Sequence, residues 1–222
     1  MTVRCVLRIS VLLLLCASVG MGGFGCAPAT YQTIGFASGE PVVLDTVFSD
    51  DIEPPPATPF SLPPHATGWE ITESAVVDVT GDGRAELIVV VWRPWRDWPI
   101  MRWHEEESPI ASYKDKNGMS CHLIVLEPDT GDEIWAGSAL PFPIEDMASG
   151  DLDGDGIYEV ATIRGEYGKK WCGVWCKRPR FVDIWEWEDM GFVMKWGPIP
   201  GRFTGLSITD RDGDGIDDLV LW

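Results

Sequence analysis

One short acidic pattern occurs three times in this chain, each time between two apolar segments. The copies begin at Asp78 (DVTGDGRAE), Asp151 (DLDGDGIYE) and Asp210 (DRDGDGIDD), so they are spaced by 73 and 59 residues. Oxygen-bearing side chains occupy positions 1, 3, 5 and 9, and glycine occupies positions 4 and 6. Glycine permits the sharp reversal that points alternate carboxylates at one centre. A period of this length is typical of an array of small sheets.

The segments around each loop predict a unit of four β-strands. An apolar segment precedes each loop and another follows it; Leu87–Trp92, for example, is a run typical of a strand buried on both faces. A hairpin completes the unit over residues 122–137 in the first copy and 181–197 in the second. The sequence therefore predicts an all-β fold of about three propeller-type, four-stranded blades with cation-binding loops between strands, in an incomplete or open propeller.

The third copy ends after its second strand, which leaves two strands to be supplied from elsewhere. The segments Ile34–Phe36 and Pro41–Phe48 form a candidate closing hairpin, followed by a Pro-rich spacer over residues 50–64. We expect residues 41–48 to pair with the C-terminal unit, because a bare strand edge invites pairing. The rival arrangement closes the array between two or more chains, which would make the protein a homo-oligomer.

The N-terminus predicts export and divides the chain into three parts. Arg4 and Arg8 precede an apolar run too short to span a bilayer, so residues 1–25 are interpreted as a signal peptide. Cys26 stands where a bacterial lipoprotein carries its lipid, although cleavage after Ala29 and an uncleaved anchor remain alternatives. Residues 26–67 are predicted to form the tether, hairpin and spacer, and residues 68–222 the repeat domain. The expected location is the cell surface or a lipid-anchored membrane position, or alternatively the secreted fraction.

The balance of charge limits the partners of the chain. Seventeen Lys and Arg against 35 Asp and Glu give a formal net charge of −18, and twelve of the acidic residues fall within the three loops. A domain this acidic repels nucleic acid and anionic membrane surfaces. We therefore expect no nucleic-acid partner, and contact with a membrane only through a lipid anchor.

The three loops predict calcium sites, because Ca²⁺ takes about six to eight hard oxygen ligands. A neutral Thr80 makes the first site the weakest. An EF-hand needs a bidentate Glu at position 12, where this chain has Val89, Thr162 and Leu221. The predicted ligands are Asp78, Thr80, Asp82, Glu86 and the carbonyl of Arg84 in loop 1; Asp151, Asp153, Asp155, Glu159 and the carbonyl of Ile157 in loop 2; and Asp210, Asp212, Asp214, Asp218 and the carbonyl of Ile216 in loop 3.

The loops followed by ELIVVVW, EVATI and DLVLW resemble the FG-GAP or VCBS repeats of integrin-α-type β-propellers. The resemblance covers about 150 residues, from Ile71 to Trp222. It implies a blade fold, structural calcium and, in many members, binding outside the cell. The family motif contains no catalytic residue, so none is implied here.

Two long insertions follow the second strand of the first two units, at residues 93–120 and 164–180, and should share the face away from the loops. They carry five tryptophans that are candidates for ligand binding: Trp95, Trp98, Trp103, Trp171 and Trp175. The alternative is that these rings only pack the insertions onto the blades. Three cysteines of this face, Cys121, Cys172 and Cys176, are candidates for a disulfide, with a zinc site that includes His122 as the alternative.

Three functions follow from these features. The first is a binding or adhesion module of the cell surface whose ligand is an extracellular protein or glycan. The second is an enzyme or accessory domain acting on extracellular polysaccharide, which a convergent pair of acids outside the loops would favour. The third is a structural part that completes a propeller by self-assembly. The chain has no nucleophile motif, so the sequence favours a binding role over an enzyme.

Overall fold

The computed structural model of the chain describes residues 30–37, 40–48, 66, 68–103, 106–168 and 180–222. The predicted signal peptide, Cys26, the Pro-rich spacer, Trp171, Trp175, Cys172 and Cys176 lie outside these ranges. Within them, no helix has both the length and the apolar character needed to cross a membrane.

The described residues form three four-stranded antiparallel sheets. Sheet I contains, in spatial order, β3 (Glu70–Val77), β4 (Glu86–Pro94), β5 (Met119–Leu126) and β6 (Glu133–Ala136). Sheet II contains β7 (Ile144–Gly150), β8 (Glu159–Arg164), β9 (Arg180–Glu188) and β10 (Gly191–Gly201). Sheet III contains β11 (Leu206–Thr209), β12 (Asp218–Leu221), β1 (Thr30–Ala37) and β2 (Glu40–Phe48). The all-β class and the four strands per unit are confirmed.

A 3-10 helix over Pro99–Trp103 lies in the insertion between β4 and β5. The two long insertions follow the second strands of sheets I and II, as predicted. In an antiparallel sheet the acidic loop and the insertion leave opposite ends of that strand. The molecule therefore has a loop end and an insertion end.

Sheet III is closed within one chain by the N-terminal hairpin. Ile34 pairs with Leu219 across β1 and β12, while β2 pairs with β1 and forms the edge of the sheet. The prediction that residues 41–48 pair with the C-terminal unit is wrong, because Thr30–Ala37 takes that place. The burial agrees with this arrangement: Ile34 is 2% exposed and packs in the core, whereas Val43 opposite it on the edge strand β2 is 56% exposed.

Sheet II lies between the other two sheets and buries both of its faces. Val160 on β8 packs in the core shared with sheet I, whereas its neighbours Ala161 and Ile163 pack in the core shared with sheet III. Successive side chains of a strand point to opposite faces, so a strand covered on both sides buries apolar residues at consecutive positions, as β8 does at Val160 and Ala161. Between the sheets, the first strands meet, since β7 contacts both β3 and β11.

Each sheet has a one-residue bulge at the same place in its fourth strand. The residues bypassed by the pairing are Ile134 on β6, Lys195 on β10 and Leu44 on β2. In each sheet, one residue of the third strand pairs with the residue that directly follows loop position 9. The bulge in the fourth strand lies opposite that third-strand residue. A bulge reorients its residue relative to the regular pleat. In sheet II the bulge residue, Lys195, has its side chain beside acidic loop 2.

Candidate metal centres and the opposite end of the sheets

The three acidic loops fold with the same hydrogen bonds. The first aspartate of each loop accepts bonds from the backbone amides of the glycines at positions 4 and 6, both of which have positive φ. These bonds are 2.8 and 2.8 Å for Asp78, 2.7 and 3.0 Å for Asp151, and 2.7 and 3.0 Å for Asp210. The aspartate at position 5 accepts a bond from the amide at position 7, at 2.9 Å for Asp82, 2.8 Å for Asp155 and 2.9 Å for Asp214. The repeated sequence therefore specifies one repeated loop geometry.

The carboxylate at position 9 is buried and closes each loop. Glu86, Glu159 and Asp218 are 4%, 0% and 6% exposed, and each is the first residue of its strand. Each accepts a bond from the amide at position 2 of its loop, with lengths of 3.0, 2.8 and 3.2 Å. A buried carboxylate needs hydrogen bonds or a cation to offset its desolvation. These bonds supply part of that compensation.

Each loop brings three carboxylates together, with oxygens within 4.8 Å of one another. The groups are Asp78, Asp82 and Glu86; Asp151, Asp153 and Glu159; and Asp210, Asp212 and Asp214. Asp155 and Asp218, both predicted ligands, fall outside these groups. All donors are oxygen, and the buried Oδ1 atom of Asp153 has no hydrogen-bond partner. This chemistry fits a hard metal ion, and the acidic clusters could hold one.

The loops lie side by side and are bonded to one another. The amide of Tyr158 in loop 2 donates to the carbonyl of Asp78 in loop 1 at 3.4 Å. The amide of Asp217 in loop 3 donates to the carbonyl of Asp151 in loop 2 at 2.9 Å, and its side chain accepts from the Asp151 amide at 3.0 Å. A Cβ on Gly154 would stand 3.0 Å from the side chain of Ile216, so glycine at position 4 also makes room for the next loop.

The charge within the loops is balanced differently in each. In loop 1 the hydroxyl of Thr80 donates to Glu86 at 3.2 Å, which links positions 3 and 9 directly. In loop 3 burial, followed by the negative charges of Asp212, Asp214 and Asp210, raises the pKa of Asp218 above its ordinary value despite the bond from the Arg211 amide. A cation bound in loop 3 would relieve this repulsion.

In loop 2 the side chain of Lys195 reaches the carboxylates from β10. Burial works against its charged form, but bonds to Asp153, Glu159 and Glu186 outweigh that effect and raise the pKa of Lys195. The pKa of Glu159 is also raised by burial, although the bonds from Lys195 and from the Leu152 amide oppose the rise. Sequence reasoning missed Lys195, because only the pairing of β9 with β10 brings it to the loop.

The described tryptophans of the insertion end differ in exposure. Trp95 donates its indole N–H to the carbonyl of Ile110 at 3.0 Å, with the Lys114 ammonium 4.1 Å from its ring centre. Trp98 is 39% exposed and donates to the hydroxyl of Ser138 at 3.1 Å. Trp103 is 71% exposed, and the Arg102 guanidinium lies 4.0 Å from its ring centre. Trp95 therefore packs the insertion on itself, whereas Trp98 and Trp103 present aromatic surface to solvent.

A cavity of about 590 Å³ opens at the same end, where the first strands begin. Trp92 and an ion pair between Glu145 and Arg180 contribute to its wall, together with Thr72, Asn117 and Thr204. These residues come from all three units. The sequence did not identify these residues as a site, because the only feature that they share is a position near the end of a strand.

Two acids outside the loops interact between sheets I and II. Burial, and then the negative charge of Asp146 on β7, raises the pKa of Glu73 on β3 to about 7. The pKa of Asp146 is raised as well, chiefly by burial, although amide bonds from Leu206 and Met147 oppose the rise. Those bonds are 2.9 and 3.0 Å long. Glu73 is thus poised to exchange a proton near neutral pH.

Cys121 and His122 point to opposite faces of sheet I. The thiol of Cys121 is buried toward sheet II, accepts a bond from the Ile144 amide at 3.4 Å, and has a pKa raised to about 12 by that burial. The imidazole of His122 lies 2.9 Å from the Gly137 carbonyl and 2.8 Å from the Ser120 hydroxyl on the other face. The two side chains therefore cannot share a zinc ion. Among described residues Cys121 has no disulfide partner.

The burial of His122 predicts a loss of stability in mild acid. Burial lowers the pKa of His122 from 6.5 to about 4, and the nearby Arg93 charge adds to the effect although the Gly137 bond opposes it. The unfolded chain therefore binds this proton more readily, and stability falls as the pH drops from 6.5 toward 4. At pH 5 we expect a loss of about 2 kcal/mol relative to pH 7.5.

Urea unfolding of the wild type and of His122→Gln at both pH values measures this loss. The glutamine can still donate and accept but does not titrate, and the acidic loops are the same in both proteins. The wild type should therefore lose about 2 kcal/mol more than the variant between the two pH values. An equal loss in the two proteins would show that His122 does not contribute.

Comparisons with known proteins give no family. No protein-family model and no curated protein matches the chain. Among solved structures, the rhamnogalacturonan lyase PL11 of Bacillus licheniformis is 18% identical with a TM-score of 0.40, and the match covers 67% of this chain and 28% of that one. The rhamnogalacturonan lyase YesW is 19% identical with a TM-score of 0.41, over 67% and 28% of the two chains. The chain thus spans less than a third of either enzyme's length.

Proposed function

We propose that this protein is an exported, calcium-stabilised binding module built from propeller-type blades similar to FG-GAP and VCBS repeats. The single observation that carries the proposal is the acidic loop that occurs three times with the same hydrogen bonds. The contacts of β7 with β3 and β11 support the blade arrangement, since the first strands of propeller blades surround a common axis. The module acts at the cell surface, held by a lipid at Cys26, or in the secreted fraction.

Calcium is the ion that fits the loops best. The clustered donors are all carboxylates, with no nitrogen or sulfur among them, and a backbone carbonyl at position 7 (Arg84, Ile157 or Ile216) adds a neutral oxygen. Calcium accepts such irregular oxygen sets at roughly 2.3–2.6 Å, whereas magnesium requires near-octahedral geometry and retains several waters. The bound ion supplies positive charge between the carboxylates and fixes the connection between the first and second strands.

The ligand binds at the insertion end. Exposed Trp98 and Trp103 offer flat apolar surface, and the cavity at the same end of the sheets adds hydroxyl, amide and charged groups. Rings beside polar groups suit the faces and hydroxyls of a sugar, or the side chains of a protein partner. The overall charge of −18 disfavours strongly acidic polymers. An uncharged glycan or an extracellular protein is therefore the expected ligand.

A binding screen against glycan and protein arrays, run with calcium and with a chelator, tests this role. For any partner found, Trp103→Ala should weaken binding at least about tenfold, because exposed aromatic residues dominate the energy of such contacts. Met190→Ala is the matched control, since Met190 is 84% exposed but lies in the turn between β9 and β10, at the loop end. Arrays without any bound partner would contradict the binding role, and equal effects of the two variants would contradict the proposed face.

A second function, an enzyme acting on extracellular polysaccharide, is favoured by the acid pair of Glu73 and Asp146. A carboxyl with a pKa of about 7 can accept or donate a proton at neutral pH. The same glycans can be incubated with the protein and analysed for shortened chains. Shortening that is lost in Glu73→Gln would support the enzyme over the binding module.

A further inference from the structure

Lys195 places an ammonium group among the carboxylates of loop 2. Its Nζ atom lies 2.8 Å from Asp153, 2.8 Å from Glu159 and 2.9 Å from Glu186 on β9. An ammonium has three protons to donate, so all three are used. The lysine side chain is only 17% exposed, and that of Glu159 is fully buried. The ion pairs are therefore shielded from water and held in place.

The fold presents a different residue at the equivalent bulge of the other two sheets. Ile134 of sheet I cannot supply a charge, and neither can Leu44 of sheet III. The basic residues within loops 1 and 3 are engaged differently. Arg84 is 77% exposed beside Asp82, and Arg211 donates its side-chain bond to Thr33. Among the described residues, loop 2 is the only loop whose predicted ligands at positions 3 and 9 are bridged by a positive charge, which comes from β10.

We propose that Lys195 is the resident cation of loop 2, so that calcium binds in loops 1 and 3 only. Two of the three clustered carboxylates of loop 2 already bond the ammonium, and a divalent ion would have to displace it from both. Loop 2 nevertheless retains the metal-binding frame, and the buried Oδ1 atom of Asp153 lacks a partner. It is therefore a latent calcium site that Lys195 blocks. This inference rests on the proposed binding of calcium.

Counting bound calcium by equilibrium dialysis and titration calorimetry tests the inference. The wild type should bind two ions, and Lys195→Ile, which places the residue of sheet I at this bulge, should bind three. Lys195→Met provides a second unblocked variant with an unbranched chain. Arg202→Ile is the control, because it removes the same unit of charge from an exposed residue at the insertion end and should still bind two.

Substitutions within the loops assign the sites and keep the test decisive if the Lys195 variants fail to fold. Asp82→Asn and Asp212→Asn should each lower the count from two to one, whereas Asp153→Asn should leave it at two. Three ions in the wild type, or two in folded Lys195 variants, would overturn the role of Lys195 without touching the calcium proposal. A wild type that binds no calcium would instead overturn the calcium proposal itself.

Discussion

Adding 1 mM calcium to the chelator-treated protein is expected to raise its melting temperature by roughly 6–11 °C. Extracellular calcium modules have dissociation constants near ~0.1 mM at the tight end of their range. At a tenfold excess over that constant, each ion adds about 1.4 kcal/mol by mass action. Two occupied loops then add about 2.8 kcal/mol, and each kcal/mol shifts the midpoint by about 2–4 °C in a chain of this size.

Differential scanning fluorimetry with calcium and with magnesium at equal concentration measures the shift. Magnesium should produce little of it, since the ion demands a regular octahedron that these loops do not offer. Asp212→Asn should remove about half of the calcium effect, because it disables loop 3 and leaves loop 1. A melting temperature that does not change when calcium is added would refute the assignment of the loops as metal sites.

Truncating Ile34 is expected to destabilise the protein by about 2–4 kcal/mol. The side chain is 2% exposed and belongs to the core cluster that contains Leu219 and Leu221 of β12. Ile34→Ala would leave a cavity where the N-terminal hairpin joins the C-terminal unit. Chemical unfolding in saturating calcium gives the free energy of unfolding for the comparison.

Val43→Ala is the matched control, because Val43 is the partner of Ile34 on β2 but is 56% exposed. Its loss should cost less than about 1 kcal/mol, the range of intrinsic strand preferences. Similar losses in the two variants would mean that the hairpin does not close sheet III through β1.

The repeated loop allowed much of the fold to be predicted. Its glycines and aspartates form local hydrogen bonds, so the geometry depends on residues only two to five positions apart. The apolar run after each loop likewise marks a strand that is buried on both faces. Local patterns of this kind can be recognised in a sequence, because both partners of each contact lie within one short segment.

The remainder depends on contacts between distant segments. The sequence indicated a hairpin that completes the last unit, but both of its strands mix apolar and polar residues. The pairing of Ile34 with Leu219 in the core distinguishes β1 from β2. Lys195 is one charged residue in a strand, and its approach to Asp153 follows from a bulge in the β9–β10 pairing. Glu73 and Asp146 belong to two different sheets, so no regular spacing in the sequence predicts that they interact.

The pairing of β1 with β12 makes the connectivity of this fold nearly cyclic. Gln32 lies opposite Leu221, so the beginning of the first described strand is beside the end of the last described strand. A short peptide joining residue 222 to residue 30 would close the backbone into a ring without moving a strand. New ends could then be opened in the exposed turn at Met190, which connects adjacent strands of sheet II. The same arrangement of the units in space could therefore be formed by a chain in which the units follow a different order.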